Sequence, residues 1–246
     1  MKEFQTRRNF LGLAGCGMVG ALLESTASAE PEPSPWQIGC YTRPWDKHEY
    51  RVALDGIAEA GYRHAGIMTA KGKRWVMITV ETTPEEAQEI GEEVRKRGLK
   101  AISVYGSGIS AEKSVEAGIA GLRKLIDHTV ACGAPNLMLG GTKKELAEAY
   151  YKVVAECCDY AAEKGVGMSV KPHGGANATS AACRKIIESV GHPAFRLWYD
   201  PGNIFYYSDG KLDPVDDAPD AQGLVCGMSV KDYLPPKNVA LTPGTG

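Results

Sequence analysis

The chain has 246 residues, of which 43% are hydrophobic and 24% are charged. This composition is typical of a globular protein and excludes an intrinsically disordered, collagen-like or coiled-coil chain. The 28 basic and 30 acidic residues leave a net charge of −2, so no strong positive field is present to gather phosphate backbones, and we expect no nucleic-acid partner.

Residues 1–29 have the three parts of an export signal. Arg7 and Arg8 open the segment, residues 11–23 are small and apolar, and a small-residue A-x-A exit closes it. The paired arginines resemble a twin-arginine signal, which predicts export to the periplasm. The alternatives are a general secretory signal, an N-terminal anchor, or a lipoprotein with its cleavage box at Cys16. No later apolar run reaches about 18 residues, so we expect no membrane span in the mature chain.

A short apolar run followed by a longer amphipathic run recurs after a stiff, proline-rich linker at 30–35. The apolar runs, which we interpret as strands, are 37–41, 64–68, 101–105, 136–139, 167–170, 195–199 and 224–230. Glycines that end the helices between them are Gly61, Gly98, Gly133, Gly165 and Gly191. Strands that alternate with helices imply parallel pairing, because parallel strands need crossover connections.

About seven such units predict an α/β fold, a (β/α)8 TIM barrel domain over residues 36–246 that is incomplete. The chain stops at 242–246, directly after a loop, so we expect the eighth strand to be missing. The alternative is an open doubly wound sheet, but no G-x-G-x-x-G follows the first strand. Among the helices, Thr83-Pro84-Glu85-Glu86 fits a capping box with a first-turn proline.

Polar side chains follow three of the predicted strands at the end where a β/α barrel carries its active site. Lys171 and His173 follow the fifth strand, Asp200 the sixth and Lys231 the seventh. A lysine, a histidine and a carboxylate that meet in one cavity can bind an anionic or polyhydroxylated substrate and move protons. We therefore predict Lys171, His173 and Asp200 as catalytic residues. The candidate substrate contacts are Tyr105, Asn203, Lys231 and Asp232.

Three segments carry a family resemblance. Lys171-Pro-His-Gly-Gly, Tyr199-Asp-Pro-Gly-Asn and Val230-Lys-Asp-Tyr resemble the xylose isomerase-like barrel family of sugar (phosphate) isomerases and epimerases. The resemblance covers nearly all of residues 36–246 in order, and it is more specific for the superfamily than for a substrate. It implies a divalent metal, such as Mn, Mg, Co or Zn, that polarises an open-chain sugar while acid–base groups move a proton.

The match to the family's metal ligands is partial. The resemblance implies a Glu after the fifth strand, an Asp after the sixth, a His in the seventh and a Glu after the eighth. Asp200 matches the second of these, whereas Lys171 and Ser229 stand at the first and third. Either His173 and Asp200 form an altered metal site, or Lys171 substitutes for the charge of the metal, or catalysis is lost.

The first hypothesis is therefore an isomerase or epimerase that moves a proton next to the carbonyl of a small sugar or keto-sugar. A lyase or dehydratase acting on 3-keto sugars or glycosides is the second, and a non-catalytic sugar-binding barrel is the third. An apurinic-site endonuclease is disfavoured by the missing ligands, the export signal and the net charge. The expected partner is a small-molecule sugar, and an oligomer is possible.

Overall fold

The computed structural model describes residues 36–246. The export signal at 1–29, with its lipoprotein alternative at Cys16, and the linker at 30–35 lie outside the described residues. The strands are β1 (Gly39–Tyr41), β2 (His64–Ile67), β3 (Ile78–Thr79), β4 (Lys100–Ser107), β5 (Asn136–Leu139), β6 (Gly167–Val170), β7 (Phe195–Tyr199) and β8 (Val225–Met228). The helices are α1 (Tyr50–Glu59), α2 (Pro84–Lys96), α3 (Val115–Cys132), α4 (Ala147–Glu163), α5 (Ser180–Val190), α6 (Pro201–Tyr207) and α7 (Pro214–Ala221).

One parallel sheet runs through the domain in the order β1-β2-β4-β5-β6-β7-β8, and the two-residue β3 pairs beside the end of β4. Neighbouring strands in this order follow one another along the chain, with helices between most of them, as in a TIM barrel. Within residues 36–246, β8 is not paired with β1, so the cylinder is not closed. The prediction of an incomplete TIM barrel with about seven units is confirmed.

The helix ends follow the local sequence. Thr83 caps α2 by accepting the backbone N–H of Glu86, whose side chain accepts the N–H of Thr83 in return, so the predicted capping box is confirmed. α3 ends at Gly133, which adopts a left-handed φ of 75°. A residue with a side chain is strained in that conformation, so glycine stops the helix and lets the chain turn toward β5.

The core lies between the sheet and the helices. Leu122, Leu125 and Ile126 recur at helical spacing on α3 and are fully buried. They belong to the same apolar cluster as Leu137 of β5 and Val153 of α4. Burial of this layer fixes the strands, and the strand ends in turn fix the loops that carry the candidate site.

The concave side of the sheet is also filled. Tyr41 of β1 and Trp198 of β7 meet edge to face with ring centroids 6.2 Å apart, although their strands are not neighbours. Both rings therefore point into the interior of the cylinder. Asn136 of β5 donates its amide N–H groups to Ser103 Oγ at 3.1 Å and Ser169 Oγ at 3.0 Å, which links it to β4 and β6.

The two outer edges of the sheet carry exposed apolar side chains. Val225 and Met228 of β8 are 44% and 54% exposed, and Ile38 ahead of β1 is 64% exposed. In the described part of the chain, no strand pairs with either edge. No helix there is long and apolar enough to cross a membrane.

Candidate active site

The candidate residues lie where three neighbouring strands end. Lys171 directly follows β6, Asp200 directly follows β7, and Lys231 lies three residues after β8. Because β6, β7 and β8 are parallel and adjacent, their carboxyl ends open on the same mouth of the barrel. The topology therefore brings these three residues together, as the sequence predicts.

Asp200 is the centre of the site and is completely buried. Its Oδ2 accepts hydrogen bonds from Lys171 Nζ at 2.9 Å and from Lys231 Nζ at 3.1 Å. Its Oδ1 accepts the backbone N–H of Asn203 at 2.9 Å. We call Lys171, Asp200, Asn203 and Lys231 the lysine–aspartate cluster.

Local sequence places each member of the cluster. Asp200 is the N-cap of α6, and Pro201 occupies the first turn, where its missing N–H costs no hydrogen bond. A Cβ on Gly202 would lie 2.5 Å from Lys231 Cγ, so only glycine leaves room for the lysine stem to reach Asp200. The Oδ1 atom of Asn203 then accepts a hydrogen bond from the Lys231 ammonium group, and its Nδ2–H donates to the carbonyl of Pro172 at 2.6 Å.

Charge in the cluster is unevenly balanced, since two ammonium groups share one carboxylate. Burial alone would raise the pKa of Asp200, but the charges of Lys171 and Lys231 outweigh it and hold that pKa below its ordinary value. Burial lowers the pKa of Lys231, and the like charge of Lys171 adds to this effect while Asp200 opposes it. The carboxylate is thus ionised and leaves excess positive charge at the mouth.

His173 lies beside the cluster in a loop that depends on two glycines. Gly174 and Gly175 have φ of 75° and 59°, and a Cβ on Gly174 would lie 2.7 Å from the ring of Tyr207. Tyr207 therefore packs closely, with its hydroxyl 3.3 Å from His173 Nδ1. Burial, together with the charges of Lys171 and Lys231, lowers the pKa of His173 to about 4. The imidazole is consequently neutral near pH 7.

Two supporting residues were not predicted as functional. Asn177 is buried and donates to the carbonyls of Lys171 at 2.5 Å and Gly140 at 2.9 Å, which ties the loops after β6 and β5 together. Tyr207 lies one helical turn after Asn203 on α6 and faces His173. The four-residue spacing from Asn203 is the pattern in the sequence that could have placed Tyr207 on the same face of a helix. For Asn177, the glycines before it indicate a loop but do not indicate that its amide binds the backbone of two loops.

The structure places the remaining two candidates differently. Tyr105 lies near the end of β4, half-buried, and a Cβ on Gly140 would be 2.3 Å from its hydroxyl oxygen, so its ring covers the end of β5. Asp232 does not join the cluster. Its Oδ2 accepts the backbone N–H groups of Gly244, Thr245 and Gly246 at 2.6 to 2.8 Å, so it organises the loop after β8 rather than the mouth.

The donor set does not fit the divalent metal that the family resemblance implies. Both oxygens of Asp200 are engaged, and a protonated lysine has no lone pair to offer a cation. Ser229 Oγ accepts the indole N–H of Trp198 at 3.0 Å. Among residues 36–246, no three His, Cys, Asp or Glu side chains converge as metal ligands. The predicted pairing of His173 with Asp200 at a metal is therefore not supported by this geometry.

Two surface grooves in residues 36–246 hold none of the candidate residues. One lies between α3 and α4, beside Ile119, Arg123 and Tyr160. Another lies between α4 and α5, beside Tyr151 and Ile186. The lysine–aspartate cluster thus remains the best-supported site in the described part of the chain.

Comparisons with known proteins agree with the fold. A family model described as xylose isomerase-like TIM barrel matches residues 54–246. A xylose isomerase-like TIM barrel protein from Mycobacterium smegmatis, solved in complex with magnesium, is 18% identical with a TM-score of 0.65, and the match covers 82% of this chain and 78% of that protein. No curated protein sequence matches this chain.

Sugar epimerases are also among the similar structures. D-allulose 3-epimerase from Methylomonas sp., in complex with D-allulose, is 18% identical with a TM-score of 0.62, and the match covers 83% of this chain and 77% of the epimerase. D-psicose 3-epimerase, solved in the presence of D-fructose, is 12% identical with a TM-score of 0.60, and the match covers 78% of this chain and 72% of that protein. At these identities the likeness establishes the fold.

Proposed function

The chain belongs to the xylose isomerase-like TIM barrel family, and from this premise we propose that it is an isomerase or epimerase of small sugars or keto-sugars. The observation that carries the proposal is the placement of His173, two residues after Lys171 in the loop after β6, at the same mouth of the barrel as the lysine–aspartate cluster. Proton transfer next to a carbonyl needs a base and a positive charge near the oxygen that becomes negative.

The reaction assigns one task to each group. His173 accepts the proton from the carbon next to the carbonyl, the C–H electron pair forms a C=C bond, and the carbonyl oxygen takes the negative charge. The excess positive charge of the cluster stabilises that oxygen. Return of the proton to the former carbonyl carbon, with a proton shift between the two oxygens, completes an isomerisation. Delivery of a proton from solvent to the first carbon on the opposite face, with release of the His173 proton to solvent, completes an epimerisation.

The test is exchange of substrate hydrogen with solvent. We expect the full chain, incubated with a panel of ketoses and aldoses in D2O, to introduce deuterium next to the carbonyl of at least one sugar, as detected by NMR. His173→Gln should reduce the rate by about 100-fold or more, because the proton acceptor is lost. His192→Gln is the matched control, since His192 pairs with Asp159 outside the cluster. Absence of exchange across the panel would refute the proposal.

A lyase acting on 3-keto sugars or glycosides is a second candidate, because it begins with the same proton abstraction. An unsaturated product in the NMR assay would identify it. The full engagement of Asp200 favours a third candidate, a sugar-binding barrel without turnover. Saturable sugar binding with no deuterium uptake would identify that function.

The place of action is also part of the proposal. We propose that the protein works in the periplasm, because residues 1–29 fit a twin-arginine export signal. Fractionation of cells that express the full chain tests this, and recovery of the protein only from the cytoplasm would contradict it.

A further inference from the structure

The cluster already supplies its own cations to Asp200. We infer that the ammonium group of Lys231, held by Asp200 and Asn203, polarises the sugar oxygen in place of a divalent metal, so that the site works with the chain's own charge. The inference rests on the proposed function for the identity of that oxygen. Its prediction about metal binding does not depend on turnover.

Lys171 blocks the approach of a cation to Asp200. Its Nζ lies 2.9 Å from Asp200 Oδ2, and its side chain is only 6% exposed. The backbone of Lys171 is fixed as well, because Asn177 binds its carbonyl. A divalent ion at Asp200 would have to displace this ammonium or lie against it, and like charges at that separation repel strongly in a buried site.

Lys231 is the member of the pair that can reach a ligand. Its side chain is 27% exposed, whereas that of Lys171 is buried. An ammonium has three N–H donors, and two of them are directed to Asp200 Oδ2 and Asn203 Oδ1. Among residues 36–246 the third has no partner, which leaves it for a sugar carbonyl or hydroxyl oxygen.

The position of this donor is built in before substrate binds. Gly202 makes room for the lysine stem, and Asn203 is itself fixed by Pro172 and by the first turn of α6. A donor that is already oriented loses little further freedom when charge develops on the substrate. The Lys231 ammonium group thus supplies the fixed positive charge that a bound metal ion would otherwise supply at the mouth.

Metal binding by the full chain is the first measurement. After chelation and removal of the chelator, calorimetric titration with Mg²⁺, Mn²⁺, Co²⁺ or Zn²⁺ should show no stoichiometric binding up to millimolar concentrations. The melting temperature should be the same with metal and with chelator. One-to-one binding that a chelator reverses would overturn the inference, whether or not the protein turns over a sugar.

Substitution of Lys231 is the second measurement. Lys231→Met should reduce the deuterium exchange rate at saturating sugar by about 100-fold, the size of one lost transition-state donor, and Lys231→Arg should restore part of it. Lys237→Met is the matched control, because Lys237 pairs with Asp209 at the surface. The inference would be wrong if a chelator abolished deuterium exchange or if Lys231→Met left the exchange rate unchanged, and the proposed function would still stand. Absence of exchange in the wild type would instead refute the proposed function.

Discussion

At the scale of single residues, the site depends on how burial and charge combine around Asp200. An isolated buried carboxylate tends to take up a proton, but two ammonium groups keep this one ionised. Burial lowers the pKa of His173, and the same two ammonium groups add to this effect because they repel the protonated imidazole. The two lysines thus favour the deprotonated form of both the carboxylate and the imidazole.

The lowered pKa of His173 leads to a pH prediction. Its pKa is about 4 in the folded chain and about 6.5 when unfolded, so between these values only the unfolded chain takes up a proton there. The stability contributed by the neutral imidazole is complete above about pH 6.5 and is lost as the pH falls toward 4. We expect an NMR titration of the His173 ring to show a midpoint near 4, and Lys231→Met to raise that midpoint. A wild-type midpoint near 6.5 would mean that the ring is solvated.

Residues on the predicted strand ends were found from sequence because apolar runs fix where strands stop. Lys171 and Asp200 directly follow such runs, and the structure joins them. The engagement of both Asp200 oxygens in hydrogen bonds was not predictable, since it depends on Lys231, which follows a third strand, and on the space left at Gly202. Asp232 was misplaced because the loop after β8 turns its carboxylate toward the backbone N–H groups of residues 244–246, whereas Lys231 reaches Asp200.

At the scale of elements, the loops after the strands matter more than the strands themselves. The seven short apolar runs were predictable, whereas β3 has two residues and no periodicity to detect. α6 and α7 are short, and each begins at an Asp-Pro pair that also suits a turn. Their existence depends on packing against the barrel, which sequence periodicity does not report.

Asn177 tests the coupling between two of these loops. Asn177→Ala removes the donor to the carbonyls of Lys171 and Gly140, and an unpaired buried polar group costs about 1–3 kcal/mol. We expect the free energy of unfolding in urea to fall by that amount. Asn238→Ala is the control, because the Asn238 side chain bonds only the nearby N–H of Ala240 at the surface, and its effect should stay within about 0.5 kcal/mol. Equal effects of the two substitutions would show that Asn177 does not hold the loops together.

At the scale of the whole molecule, the sheet curls without closing in residues 36–246. Strand order and parallel pairing follow from the alternation of strands and helices, so the barrel topology was predictable. Among the described residues, the open seam between β1 and β8 leaves the outer backbone N–H and C=O groups of these two strands without a strand partner, next to exposed apolar side chains. Such edges pair readily with other strands.

Self-association is the expected result of this seam. We expect light scattering on the purified chain to show an apparent mass that rises with concentration, and Met228→Lys to reduce the rise, because a charge on an edge strand disfavours pairing. Val215→Lys is the control, since Val215 is exposed on α7 and away from the sheet edge. A constant monomer mass at all concentrations would contradict the prediction.

The amide of Asn136 has a consequence for how the three central strands find their alignment. Side chains alternate between the two faces of a strand, so sliding β4 or β6 by one position would turn Ser103 or Ser169 away from that amide. Each slipped arrangement would leave a buried hydroxyl without its hydrogen bond to Asn136. Leucines and valines tolerate several alignments, but a single polar side chain that must satisfy hydroxyls on both sides accepts one.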